Sequence, residues 1–143
     1  MSGDIFRSDE EVGEVLRGFE SCALPPAEFS HARHLAVALA LLARHGDEGA
    51  AIERVRAGLR RYLAAHGVDP RKYHETVTVF WVKRVRAFAA RAAAGPGLAE
   101  LANGLARACG DSRLVDDYYS RALLDTEEAR ASWVEPDLKA FDF

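Results

Sequence analysis

Cysteine is scarce in this chain of 143 residues: Cys22 and Cys109 are the only two, and they lie far apart. A disulfide framework is therefore not indicated, no Cys-x-x-Cys site exists, and inert reduced thiols are expected. Long hydrophobic runs are missing too. The longest, Leu35 to Ala43, falls well short of the ~20 residues that span a bilayer, so no membrane partner is expected. The N-terminus carries Asp4, Asp9, Glu10 and Glu11 without an apolar stretch, so no secretion signal is read and a cytoplasmic location is expected. Neither sign of charge dominates: 19 Lys and Arg face 22 Asp and Glu, a net charge of -3. That balance argues against a nucleic-acid binder, and Arg54, Arg56, Arg60 and Arg61 read as a solvated helix face. Internal repeats and low-complexity linkers are absent as well.

What remains is ordinary for one globular domain. Apolar residues make up 49% and charged residues 29%, enough to bury a core over residues 1–143 without staples. The abundance of Ala and Arg fits a GC-rich bacterial genome. The punctuation reads as all-α, a helical bundle of about five to seven helices. Ser8-Asp-Glu-Glu11 forms a capping box before a stripe of Val12, Val15, Leu16 and Phe19, and Pro25-Pro26 breaks the chain afterwards. A second helix runs from about Ser30 to His45 and stops at Gly46. A third is capped by Asp47 and closes at His66-Gly67. Asp69-Pro70 reads as the start of a fourth helix that continues to about Ala94. A fifth follows from Leu98 to near Gly110, and Ser112 caps a sixth containing Leu114, Val115, Tyr118 and Tyr119. Asp125-Thr-Glu-Glu128 opens a short last helix. The tail, residues 133–143, is expected to cross the bundle through Trp133, Leu138 and Phe141.

The candidate site comes from the histidines. At 100° per residue, Leu35, Ala38 and Leu42 fall within about 40° of His31, while Arg33 and Arg44 point away. His31 thus faces the buried stripe and His34 sits at its edge. His74, Val77, Thr78, Trp81, Val85 and Phe88 keep a helical period in the fourth helix. Short loops favour antiparallel neighbours, so the second and fourth helices start at one end and bring His31, His34 and His74 together. His66 arrives there exposed, and His45 lies at the other end. Helix N-termini and burial both favour neutral imidazoles, which metal coordination and general-base chemistry require. Glu75 lies about 100° round from His74, placed to orient a ring, ligate at the edge or pair with an arginine. Thr76 and Thr78 are expected to bond back to carbonyls one turn earlier.

The segments Phe29-Ser-His-Ala-Arg-His-Leu35, Tyr73-His-Glu-Thr-Val-Thr78 and Tyr118-Tyr-Ser120, with Glu-Ala-Arg130 and Pro-Asp-Leu138, resemble a bacterial all-helical family for which no activity is known. The resemblance covers about four fifths of the chain. It implies that the three histidines and the late Tyr-Tyr-Ser segment belong to one pattern, as in a site with a lid.

The expected function is that of a small enzyme acting on a small polar or anionic metabolite. His31, His34 and His74 would be ligands of a divalent transition metal (Zn, Fe or Cu) or metal-free proton-transfer groups, with Glu75 as base or orienter. Tyr73, Thr78, Trp81 and Tyr119 would contact substrate. Hydrolysis, elimination, isomerisation and metal-centred oxidation all stay open. The competing reading is a non-catalytic helical module that binds a ligand or a protein, its histidines structural. The His-Glu-x-x-His zinc-protease pattern is not present. Alanine-rich helix faces permit close packing within the chain or in a homodimer.

Overall fold

Every residue from Leu35 to Leu41 is buried in the computed structural model, which describes residues 4–92 and 94–143. They belong to α2 (His31–His45), and burial on all sides rather than along one stripe makes it the central helix. Around it pack α1 (Asp9–Glu20), α3 (Glu48–Ala65), α4 (Glu75–Arg91) and α5 (Leu98–Ala108). α3 and α4 also touch each other, as do α1 and α5. Ala36, Ala38 and Ala40 keep the girth of α2 small, so neighbours approach from every side and the alanines are used up inside the chain. The expected single stripe was too narrow: Arg33 and Arg44 lie near the helix ends, and the middle turns have no wet face.

Two short helices, α6 (Arg121–Leu124) and α7 (Glu127–Ala131), complete the chain, and α7 packs on α4. No strand occurs among the described residues, so the all-α bundle is what forms. None of the described helices is long and apolar enough to cross a membrane. A second apolar cluster gathers Phe80, Val115, Tyr118, Tyr119 and Leu124, with Trp133 and Phe141 of the tail packed against it. Leu138 does not join them. It is 56% exposed, and its backbone N–H donates to Tyr118 O instead.

Most caps act as their sequence suggests. Ser8, Ser30 and Asp47 accept from the backbone N–H groups of Glu11, Arg33 and Ala50, and Gly46 closes α2 at φ 65. Three details differ. Glu11 accepts from Arg7 N rather than from the Ser8 amide of a full capping box. α1 ends at Ser21-Cys22, with Cys22 at φ 65 where glycine is usual, before the prolines are reached. Thr126 rather than Asp125 caps α7.

Larger departures lie downstream. Pro70–Lys72 is a separate 3-10 turn, and α4 begins only at Glu75 because the His74 side chain occupies its N-cap. α4 ends at Arg91, and Ala93 lies outside the described residues. Ser112–Asp117 is also 3-10, and Tyr118 and Tyr119 follow it outside any helix. Two long-range polar contacts fix the N-terminal segment to α5. Asn103 Oδ1 accepts from the amides of Ile5 and Phe6, its Nδ2 donates to Phe6 O, and Asp9 caps α5 through Ala99 N.

Packing is close where α1 meets α3. A Cβ added at Gly58 would lie 2.5 Å from a carbon of the Phe19 ring, itself 1% exposed. Alanine normally gains about 1 kcal/mol over glycine inside a helix. Here overpacking costs about 1–3 kcal/mol, so Gly58→Ala should forfeit that gain and lower stability by up to about 2 kcal/mol. Urea or thermal melts test this, and a variant more stable than the parent would refute the contact.

Candidate functional site

The starts of α2 and α4 do meet. His31, His34 and His74 line one cavity of about 450 Å³, together with Thr78 and Trp81 of α4 and Tyr73 just before it. Most of the remaining wall is apolar, including Phe19, Phe29, Leu35, Val55 and Leu59. The exposed members of the lining, His34, Lys72 and Ser112, mark its mouth.

Each imidazole is held by the backbone. His31 donates from Nε2 to Cys109 O at 3.0 Å and sits edge-on to Trp81, with ring centres 4.5 Å apart. Its Nδ1 is then the lone-pair nitrogen. His34 donates from Nδ1 to Ser30 O at 2.9 Å and stacks on Phe29 at 3.7 Å, which leaves Nε2 as its acceptor. His74 differs. Its Nδ1 accepts from Val77 N at 3.2 Å as the N-cap of α4, and its Nε2 donates to Leu124 O at 2.7 Å. Both nitrogens are committed, so His74 joins α4 to α6 and has no lone pair to offer.

Burial is the largest influence on all three, and it holds their pKa values below the ordinary 6.5. Their bonds to carbonyls oppose it, and in His34 the neighbouring His31 adds to it. His34 remains accessible at the mouth, yet desolvation by the residues around its ring still lowers its pKa. Among the described residues no group of three His, Cys, Asp or Glu is placed to hold a metal ion.

Glu75 serves a different structure. Its carboxylate, 7% exposed, receives Arg56 Nε at 2.9 Å and Nη2 at 2.5 Å, and the Tyr73 hydroxyl at 2.5 Å. These bonds, Arg56 first, hold Glu75 below the usual carboxylate range, while burial first and Glu75 second push Tyr73 up to about 12. The trio fastens α3 to α4 behind the cavity wall, and Glu75 is not part of the lining. Nor is Tyr119, which is fully buried and donates to Val134 O at 2.8 Å. Thr78 bonds back to His74 O at 2.8 Å as expected. Thr76 does not: it donates to Ala129 O at 2.7 Å, reaching α7.

The neighbouring histidines fall outside the lining. His66 is half-buried rather than exposed, packs on Tyr62 and donates to Cys22 O. His45 Nε2 is buried without a hydrogen-bond partner. Sequence reading missed Lys72 and Ser112 at the mouth. Their position depends on the 3-10 turns that replace the expected helix starts. Comparison with family models, curated proteins and solved structures gives no match to this chain.

The double role of His74 predicts a particular mutational pattern. His74→Ala should cost about 1–2 kcal/mol through the lost cap, and His74→Asn should recover most of it, because asparagine is among the best caps. Equal stability of parent and His74→Ala in urea melts would sink the capping account.

The pKa directions also set the acid limb of stability. Glu75 contributes fully above its ordinary 4.5 and loses that contribution as pH falls through its lowered folded value. The three histidines act in the same sense below 6.5, where the unfolded chain binds protons that the folded one resists. Melting temperature should therefore fall in two steps with acidification. Arg56→Met, which leaves the Glu75 carboxylate unpaired, should lose about 2–3 kcal/mol at neutral pH and flatten the lower step.

Proposed function

We propose that the protein acts on a small molecule with a largely apolar body, and that His31 and His34 serve as acceptors or general bases toward its acidic O–H, N–H or C–H group. One observation carries this reading. Two imidazoles on the same apolar cavity are each fixed in one tautomer by a backbone carbonyl, and each keeps a single lone-pair nitrogen. A carbonyl bonded to one ring nitrogen orients the ring and strengthens the other nitrogen as a base. The apolar wall keeps that base neutral near pH 7. Proton abstraction leading to elimination, isomerisation or hydrolysis fits this equipment. Trp81, Thr78 and Tyr73 shape the space where the reacting atom would lie.

A face of three histidines for zinc, iron or copper would require His74 to give up the α4 cap and its bond to Leu124. Metal-free acid–base chemistry keeps those bonds intact. The double engagement of His74 supports the non-catalytic reading for that residue alone.

Naphthol is a direct probe, since it joins an apolar body to one acidic hydroxyl. It should bind about threefold to tenfold more tightly than naphthalene at pH 7.5, the worth of one hydrogen bond to a buried acceptor. The difference should vanish in the His31→Phe, His34→Phe double variant and shrink as pH falls through values below 6.5. Nitrogen NMR of the rings should show His31 protonated at Nε2 and His34 at Nδ1. Equal affinities for the two probes, or rings mixed between tautomers, would refute the assignment.

A further inference from the structure

Leu63, Lys72 and Tyr73 line two spaces at once: the histidine cavity and an adjoining surface groove of about 810 Å³. The groove is basic. Asp69 is committed to Arg71 at 2.9 Å, which cancels that pair and also occupies the acid whose charge Lys72 feels. Arg60, Lys72 and Arg130 then remain against Glu127. The Arg60 guanidinium lies over the Tyr73 ring at 4.9 Å, and Arg130 donates to Arg71 O at 3.3 Å. Both contacts leave the positive charge unneutralised. Glu75, the other carboxylate near Tyr73, is already held by Arg56 on two bonds. An apolar chamber thus opens beside an excess of cations, with Lys72 at the junction.

We propose that the two spaces together take an amphiphilic anion, its apolar body in the histidine cavity and its oxyanion head in the groove over Lys72, Arg60 and Arg130. This inference rests on the cavity being a ligand site and adds the class of ligand. The apolar walls supply affinity through burial, and the cations supply orientation. A molecule held this way places a fixed segment of its body beside His31 and His34. The head is a carboxylate or a phosphate, since both accept from lysine and arginine.

Calorimetric titration with octanoate, octyl phosphate, octanol and acetate tests the idea. Octanoate or octyl phosphate should bind more tightly than octanol at low salt, with the advantage shrinking as salt is raised, and acetate should not bind measurably. Whichever anion binds more tightly assigns the head. Arg60→Gln and Arg130→Gln, both in the groove and outside the lining of the histidine cavity, should each weaken the preferred anion about threefold and leave octanol unchanged. Equal binding of octanol and both anions, or indifference to these substitutions, overturns the anionic head and leaves the cavity as a ligand site. Failure of all three octyl compounds to bind overturns both readings together.

Discussion

The imidazole of His74 is the joint on which the site depends. A neutral ring has one acceptor and one donor, and here both are spent on backbone groups that secondary structure leaves unsatisfied: the Val77 amide at the start of α4 and the Leu124 carbonyl at the end of α6. That pairing sets the first residue of α4, and the phase of the helix follows from it. Glu75 turns back toward Arg56 on α3, Thr76 reaches α7, and Thr78 and Trp81 face the cavity. Only one tautomer satisfies both bonds. A protonated ring would present a donor to the Val77 donor, so the joint weakens when the ring is charged, in accord with its lowered pKa.

The electrostatics of the region separate into neutral and charged layers. Along the cavity lining, desolvation holds the imidazole pKa values below 6.5, and backbone carbonyls lock the rings. Behind the wall, the buried Glu75 carboxylate is matched by a guanidinium on two bonds and a phenol on a third. Such a pair is costly to desolvate and stays favourable only when every lone pair is answered. Outside, the unmatched cations stay at the surface where water solvates them. Charge thus reaches the apolar chamber only at its mouth, through Lys72, and the lone-pair nitrogens of His31 and His34 are the acceptors that its imidazoles present.

Much of this was legible from sequence because it is encoded locally. Ser30, Asp47 and Gly46 mark helix ends through contacts within a few residues, and short loops bring α2 and α4 to one end of the bundle. The convergence of His31, His34 and His74 follows from those rules. What escaped depends on partners distant along the chain. Histidine is not among the usual caps, and only Leu124, 50 residues away, makes it the natural occupant of that place. Tyr118 lies outside the helical pattern, its backbone carbonyl taken by Leu138 N of the tail, and the Tyr118 and Tyr119 hydroxyls bond to Asp142 and Val134 of the same segment. Asn103 looks like an ordinary helix residue until the N-terminal amides are seen above it. The helical period placed Glu75 off the His74 direction, but it could not choose Arg56 among four neighbouring arginines.

The cavity is better understood as kept than as left over. Apolar wall left uncovered in an open pocket forgoes the stabilisation that burying it would give, and a domain of this length has little to spare. Yet the same wall contains some of the closest packing in the molecule, where Gly58 lets the Phe19 ring lie directly against α3. Any larger residue at that position would force the ring elsewhere, and the cavity that Phe19 borders is the open space beside it. The chain therefore carries aromatic bulk next to the void and a glycine that gives this bulk somewhere else to sit. Two carbonyl-bonded histidines in the same lining give the retained space a chemical purpose that packing alone would not require.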